Sequence, residues 1–501
     1  YKRQAGHDAC WINRMAPTAM VMCPCVDGLS HNEAEEISSK QKQISVSEFF
    51  EKNKHFLGFD TLPRAVITAV KESVDNSLDA CEEARILPDI RVEIRRTKGD
   101  ELELITQDNG PGIPRDAIEN VFGKFLLGSR FHAIRQTRGQ QGIGITGVVM
   151  YSQLTTGSKT HVVSKIKSDS SAVYVDLGVD TKKNKAIKSG ERRDIWIDDK
   201  TGNEISHGLR IRTQMKAKYQ RGRKSVYQYL RMTSIVNPHA SISLVVYDKE
   251  GSVVEEGSWI RTSNKLPRVV EEIKPHPHGI QLGTLQRMLR EANDRRMTSF
   301  LKHNFSGVSP RAAKEILAIA EVEEGRTPKR IKADEAKMII AAFQTVKLLK
   351  PPMDCLSPIE DLLIKKGLSK TIDSRFVTTM TRSPTVSQGN PYQVEVGLIF
   401  GNGMAADKPV EILRFANRVP LMYQQGGCLL TKAIESVDWR QYGLDQAGGR
   451  GVPKGPAAIL VHLASTNVQF TSEAKEALAD NGEVMDEVRK AMLEMGRGLR
   501  K

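Results

Sequence analysis

Three short runs hold residues whose types and spacing suit a single ligand. In the run VITAVKESVDNSLDACEEA, residues 66–84, Glu72, Asn76 and Asp79 fall within an arc of about 60° at 100° per residue. Val66, Val70, Val74, Leu78 and Cys81 lie opposite. A carboxylate and a carboxamide one helical turn apart can act on the same molecule. The carboxylate orients a water for attack, and the amide oxygen holds a magnesium ion. Any amphipathic helix also has a polar face that is merely solvated, and this run alone says no more than that. The second run, Gln107-Asp108-Asn109-Gly110-Pro111-Gly112-Ile113, closes a strand-like segment. Asp108 then stands at a strand end beside glycines that let a ligand approach the backbone, where a carboxylate can accept a purine's exocyclic amine. In isolation the same residues make an ordinary turn. The third run, Arg138-Gly139-Gln140-Gln141-Gly142-Ile143-Gly144-Ile145, opens into the apolar Ile145–Met150. Alternating glycines there expose amides at a helix N-terminus, which suits phosphate. It is not a P-loop, since no Gly-Lys-Ser/Thr follows, and it lacks the dinucleotide spacing.

The elements that must position these runs follow from periodicity. Thr61 caps a helix with Pro63 in its first turn, running to about Ala84. Strands follow at Ile90–Arg95 and Glu101–Thr106, both alternating apolar and polar. Helical and glycine-rich sequence fills 114–150, and β-like runs dominate 151–250, with polar hairpins at 180–204. Residues 279–349 read as helical, with Ser309-Pro310 as a cap and first turn. After Pro351-Pro352, strands return at Glu395–Phe400, Val410–Phe415 and Ala457–Ala464, and a closing helix is expected from Thr471. Residues 1–43 read as a disordered extension. The aromatic-rich segment 44–60 is too apolar for a free tail, so it should lie against its own domain or a second copy.

Composition narrows the class. The chain has 501 residues, 39% of them hydrophobic, with 74 Lys and Arg against 60 Asp and Glu, a net charge of +14. That balance favours a polyanionic partner or nucleotide over a basic ligand. No apolar run approaches the ~18 residues needed to span a bilayer. Cysteines at 10, 23, 25, 81, 355 and 428 are scattered as free thiols of a reducing compartment rather than paired for disulfides or zinc. His239, His276 and His278 adjoin prolines in turns and are not read as metal ligands.

The order of the three runs is more specific than any one of them. Glu-x3-Asn-x2-Asp on a helix, then Asp-x-Gly-x-Gly, then a glycine lid, resembles the GHKL ATPases, whose fold is a two-layer α/β ATP site. The resemblance implies Glu72 as general base, Asn76 as the magnesium ligand and Asp108 as the adenine reader. Asp79, Gly110, Gly112, Gly139, Gln140, Gln141, Gly142, Ile143 and Gly144 complete the nucleotide and lid positions. The stretches SVSEFFEKNKHFLGFD, RGQQGIGI, YQRGRKSVYQYLRMTSIVNPHA, KPHPHGI and LKPPMDCLSPIEDLL narrow the likeness to the B subunits of type IIB DNA topoisomerases, the topoisomerase VI family. That implies a GHKL domain at 44–261 with a strap at 44–60, a helix-two-turns-helix domain at 262–350, and an α/β transducer of ribosomal-S5-like fold at 351–501. It also implies ATP and Mg2+, an ATP-dependent homodimer, duplex DNA, and a separate cleaving A subunit in an A2B2 heterotetramer in the cytoplasm at the nucleoid. The run Asn417–Leu421 through Cys428–Lys432 resembles the family's switch-lysine loop and makes Lys432 the expected γ-phosphate cation.

Two positions depart from the family pattern. A threonine expected near the nucleotide is replaced at His207-Gly208-Leu209, with Thr156 as a candidate substitute. Glu360 stands where a glycine is expected after Ser357-Pro358-Ile359. The basic runs 216–224 and 326–332 are either solvated faces or part of a DNA groove. A MutL-like repair ATPase and a non-hydrolysing ATP-gated clamp stay open as alternatives.

Overall fold

The computed structural model describes residues 46–55, 57–125, 133–139, 142–180, 185–401, 404–472 and 474–499. The expected disordered extension, and Gln140 and Gln141, lie outside these residues. Helix α1 (Val46–Lys52) belongs to one compact unit and residues 53–501 form another.

In the larger unit, α2 (Leu62–Glu83) starts where expected, with the Arg64 amide donating to the Thr61 hydroxyl and Pro63 in the first turn. Its apolar stripe is buried, and so are Lys71, Ser73, Asp75 and Ser77. What remains open is a narrow strip carrying Glu72, Asn76 and Asp79. A merely solvated face would leave half the helix exposed, so this strip borders a cleft.

The first sheet has eight strands in the order β5-β4-β3-β6-β2-β1-β7-β8. These are β1 (Asp89–Arg96), β2 (Glu101–Asp108), β3 (Thr160–Lys165), β4 (Ala172–Asp180), β5 (Lys185–Asp194), β6 (Gly208–Lys216), β7 (Ser241–Tyr247) and β8 (Val253–Trp259). Among the described residues of this sheet, only β1 and β7 pair in parallel. Helix α3 (Arg115–Gly123) packs on β4 and β5, α4 (Gly144–Thr156) on β3, β4 and β6, α2 on β1 and β2, and α5 (Val226–Val236) on β7 and β8. Strands dominate 151–250, as the β-like pattern predicts, but two helices interrupt them. Helix α4 runs to Thr156, and Ser225, accepting the Gln228 amide, caps α5. The outermost strand β5 is exposed along most of its length, and its pairing with β4 is interrupted by a bulge at Val175/Asp176.

Four helices, α6 (Leu282–Glu291), α7 (Met297–Asn304), α8 (Pro310–Ile319) and α9 (Ala333–Thr345), enclose their own core around Leu285, Phe300, Leu317 and Phe343. Ser309 caps α8 as its sequence predicts.

The second sheet runs β10-β11-β14-β12-β13, with β9 also on β11. Its strands are β9 (Phe376–Thr381), β10 (Thr385–Ser387), β11 (Asn390–Phe400), β12 (Glu411–Ala416), β13 (Val419–Pro420) and β14 (Ala457–Ser465), joined by α10 (Asp361–Thr371), α11 (Leu429–Glu435) and α12 (Gly482–Leu499). Alternation along β14 sends Ile459, Val461 and Leu463 to a core under α11 and α12, and Ala458 and Leu460 to a second core with α10 and the end of α5. Helix α5 thus serves both sheets. The closing helix begins at Gly482, not at Thr471. The described residues between Thr471 and Asn481 form a loop whose backbone groups bond at long range, Leu429 N–H to Leu478 O and Ala479 N–H to Gln469 O, instead of closing helical turns. No helix among the described residues is long and apolar enough to cross a membrane.

Glu395, fully buried in β11, ties the start of this half together. It accepts from the amides of Ile359 and Glu360, the Thr381 hydroxyl and His462 Nδ1. Burial pushes its carboxyl up, but these donors, His462 foremost, more than offset that and hold it below the usual range. The demand for the Glu360 amide forces that residue to φ +78° and ψ 143°, a conformation in which a side chain costs roughly 1–3 kcal/mol. The glycine expected there from sequence is what the backbone wants. Its salt link to Lys265 is exposed on both sides and adds little. Glu360→Gly is expected to stabilise the protein by about 1 kcal/mol once glycine's greater freedom in the unfolded chain is subtracted, read as a higher Tm in thermal denaturation.

Candidate ATP site

The open strip of α2 faces the N-terminus of α4. Gly144, the first residue of α4, lies so close to Glu72 that an added Cβ would sit 1.9 Å from Glu72 Oε2. Among the described residues no side chain caps this end of α4, so there its first amides are available to an anion, and the positive end of the helix dipole points at the same place. Glu72 makes no hydrogen bond among the described residues. Asn76, one turn on, is exposed and likewise has no partner among them. A free carboxamide beside a carboxylate fits a magnesium ion that draws its other ligands from water and phosphate, because that ion needs only one or two protein oxygens.

Asp108 closes the other side. It is buried, and its carboxylate accepts from Ser77 Oγ at 2.6 Å and the Gly110 amide at 2.9 Å. Burial raises its pKa, opposed by those two bonds and by the Leu209 amide. An ionised carboxylate has about four acceptor sites, so it can still take a further donor. The glycines around it answer to close backbone contacts. A Cβ on Gly112 (φ +73°) would meet Lys165 O at 2.2 Å, and one on Gly208 would meet Asp108 O at 2.3 Å. Gly139 has open space around it, and Gly142 takes φ +59° on the way to Ile143 at the head of α4. Leu209 pairs directly with Asp108 across β2 and β6. The hydroxyl that meets Asp108 is that of Ser77, which sequence reasoning passes over although it lies inside the same helical run.

Three of the expected residues have partners of their own in this geometry. Thr156 ends α4, whose thirteen residues put it about 18 Å from Gly144. Its hydroxyl bonds Ser152 O and Gln214 O, so it does not supply the missing group. Asp79 is drawn into an ion-paired cluster: Arg138 Nη1 lies 2.5 Å from Asp79, Arg138 also bonds Glu82 and Asn237, and His239 joins Glu82 at 2.7 Å. That gives Asp79 a partner at the base of the lid. Lys432 ammonium is held by Asp480 at 2.7 Å on the surface of the second sheet's half.

Lys475, in the loop whose sequence predicts a helix, lies at the rim of the cleft. Its ammonium donates to Arg138 O at 2.7 Å, beside Gly139, and its charge bears on Lys71 and Asp75 of α2. Nothing in the spacing of Thr471–Asp480 separates a loop lysine from a helical one. The same rim is pinned elsewhere by the second sheet's half, through Asn417 Nδ2 to Thr137 O (2.9 Å), the Gln136 amide to Cys355 O (2.9 Å) and the Ser357 amide to Gln136 Oε1 (2.7 Å).

Residues 61–181 match the family of histidine kinase-, DNA gyrase B- and HSP90-like ATPases, and residues 351–501 match the topoisomerase VI B subunit transducer. The chain is 49% identical over 467 residues to the B subunit of type 2 DNA topoisomerase 6 from Methanococcoides burtonii, covering 93% of this chain and 73% of that protein. This chain belongs to the family of topoisomerase VI B subunits. The family's protein from Archaeoglobus fulgidus is 47% identical, with 93% and 75% covered. The one from Pyrococcus horikoshii is 35% identical, with 93% and 87% covered. Membership of the topoisomerase VI family makes the cleft between α2 and α4 that of a GHKL ATPase, and the second sheet with its helices the transducer.

Gly144→Ala tests the closeness of lid and carboxylate. The methyl must displace Glu72, and a misplacement of about 1 Å is expected to lower ATP turnover on the order of 100-fold with little change in Tm.

Proposed function

We propose that this protein is the ATP-binding and ATP-hydrolysing subunit of a type IIB topoisomerase, working with a cleaving A subunit on duplex DNA. The observation that carries the reading is the meeting of Glu72, Asn76 and Asp108 around one cleft, with a transducer lysine at its rim. In this reading Asp108 accepts the adenine amine, and the α4 amides and the lid glycines take the phosphates. Asn76 would hold Mg2+, which neutralises phosphate charge when bound. Glu72 removes the proton of the attacking water, and Lys475 replaces its bond to Arg138 O by one to the terminal phosphate, where an ammonium counters the developing charge. Because Lys475 belongs to the transducer, the loss of that phosphate is felt directly in the second half of the chain. Two copies would close on ATP through residues 44–60, hold a duplex, and turn their transducers as hydrolysis proceeds, in an A2B2 assembly at the nucleoid. The DNA contacts would be made to phosphates and be insensitive to sequence.

Glu72→Ala is expected to bind ATP and still dimerise while hydrolysis falls by about 100- to 10,000-fold. Retained hydrolysis would remove Glu72 as the base. The two candidate lysines separate cleanly. Lys475→Ala should lower kcat by roughly 100-fold or more with nucleotide affinity nearly kept, whereas Lys432→Ala should hydrolyse ATP like the parent protein. The reverse pattern would return the role to Lys432. A supercoil-relaxation assay with purified A subunit, in which a non-hydrolysable ATP analogue blocks repeated turnover, checks the whole assignment.

A further inference from the structure

Lys71 is buried, and burial lowers its pKa to about 8. Among the described residues its ammonium forms no ion pair, and its one hydrogen bond goes to Ala474 O at 2.7 Å. A buried ammonium without a carboxylate at bonding distance is a poor way to stabilise a fold. Its acceptor is the residue immediately before Lys475. The residue immediately after, Glu476, is buried and is held by Arg64 of the same helix and by Gln424 Nε2 at 3.0 Å. Between these two grips Lys475 adopts φ +54°, a left-handed conformation that an L-residue does not hold unaided. Gly58, whose carbonyl accepts from Thr68 Oγ1, lies against Ala474.

Arg64, Thr68 and Lys71 are spaced i, i+4, i+7 and form one stripe along α2. The stripe of Glu72 and Asn76 adjoins it, turned by about 80–100°. One rigid helix therefore bears the proposed general base on one stripe and the seat of the transducer loop on the next. We infer that Lys71 is a positioning residue for ATP hydrolysis: by gripping the Ala474 carbonyl it fixes the backbone from which Lys475 enters the cleft. This rests on the role proposed above for Lys475 and adds to it the part of the ATPase domain that aims it.

The test is a double-mutant cycle in the full-length protein, with steady-state ATP hydrolysis, equilibrium binding of a non-hydrolysable ATP analogue and thermal denaturation as readouts. Lys71→Met is expected to lower kcat by about 10- to 100-fold, the scale of a misplaced catalytic group. Analogue affinity should stay within about twofold, since a transition-state contact is what is lost. Removal of an unpaired buried charge should leave Tm unchanged or higher. Lys71→Arg, which can still donate to the carbonyl, should recover part of the rate. In the Lys475→Ala background, Lys71→Met should add nothing further. Parent-like turnover by Lys71→Met, or losses that multiply in the double variant, would overturn the inference while leaving Lys475 in place. Parent-like turnover by Lys475→Ala would instead remove the role of Lys475 itself. Should Lys71→Met not fold, Lys71→Gln takes its place in the same cycle and is read in the same way.

Discussion

The site depends on the approach of Glu72 to the start of α4. A carboxylate can lie against the head of a helix only if the first residue there has no side chain, and Gly144 meets that condition by a margin too small for even one methyl. The approach sets much of the surrounding sequence. Helix α2 must be rigid, so it is buried on nearly every side, including at Lys71, Ser73, Asp75 and Ser77. Asp75 illustrates the cost. Burial raises its pKa to about 6, Tyr229 of α5 donates to one oxygen at 3.0 Å, and the other oxygen has no partner among the described residues.

Helix α5 extends the same constraint into the second half of the molecule. At one end Tyr229 meets Asp75. At the other Ile235 and Val236 enter the core shared with α10 and the transducer sheet, while Val236 O accepts from the buried Arg418. Arg418 in turn donates its backbone amide to His462 Nε2, and His462 Nδ1 faces Glu395. Because the nitrogen toward Arg418 must accept, the imidazole is neutral with its proton on Nδ1, in keeping with burial lowering its pKa. The ATPase and transducer halves are thus joined by packed apolar side chains and by buried hydrogen bonds, a connection that transmits displacement because neither kind of contact stretches far.

Part of this is legible in the sequence. Glu72, Asn76 and Asp108 can be placed because a helical period and a strand end fix where such side chains point, and the glycine lid because glycines mark backbone contact. The odd residue at Glu360 can be flagged because the family resemblance leads one to expect glycine there, and the structure gives it a positive φ. Lys475 cannot be found that way. Its loop is held by groups far away in the chain, Lys71 and Arg64 among them, and the local pattern of Thr471–Asp480 favours a helix. Lys432 looks better placed in the sequence because nothing near it in the chain shows that Asp480 lies beside it. Thr156 fails for a similar reason, since sequence distance from the lid says nothing about which end of α4 a hydroxyl occupies.

The free margin of the first sheet has one more consequence. Among the described residues strand β5 leaves an unpaired row of backbone groups at the border, yet its sequence KAIKSGERRD is mostly charged and its partner strand is bulged. A foreign strand adding there would have to desolvate those charges and follow an irregular register. The molecule is therefore guarded against edge-to-edge fibre growth through this margin of its widest sheet.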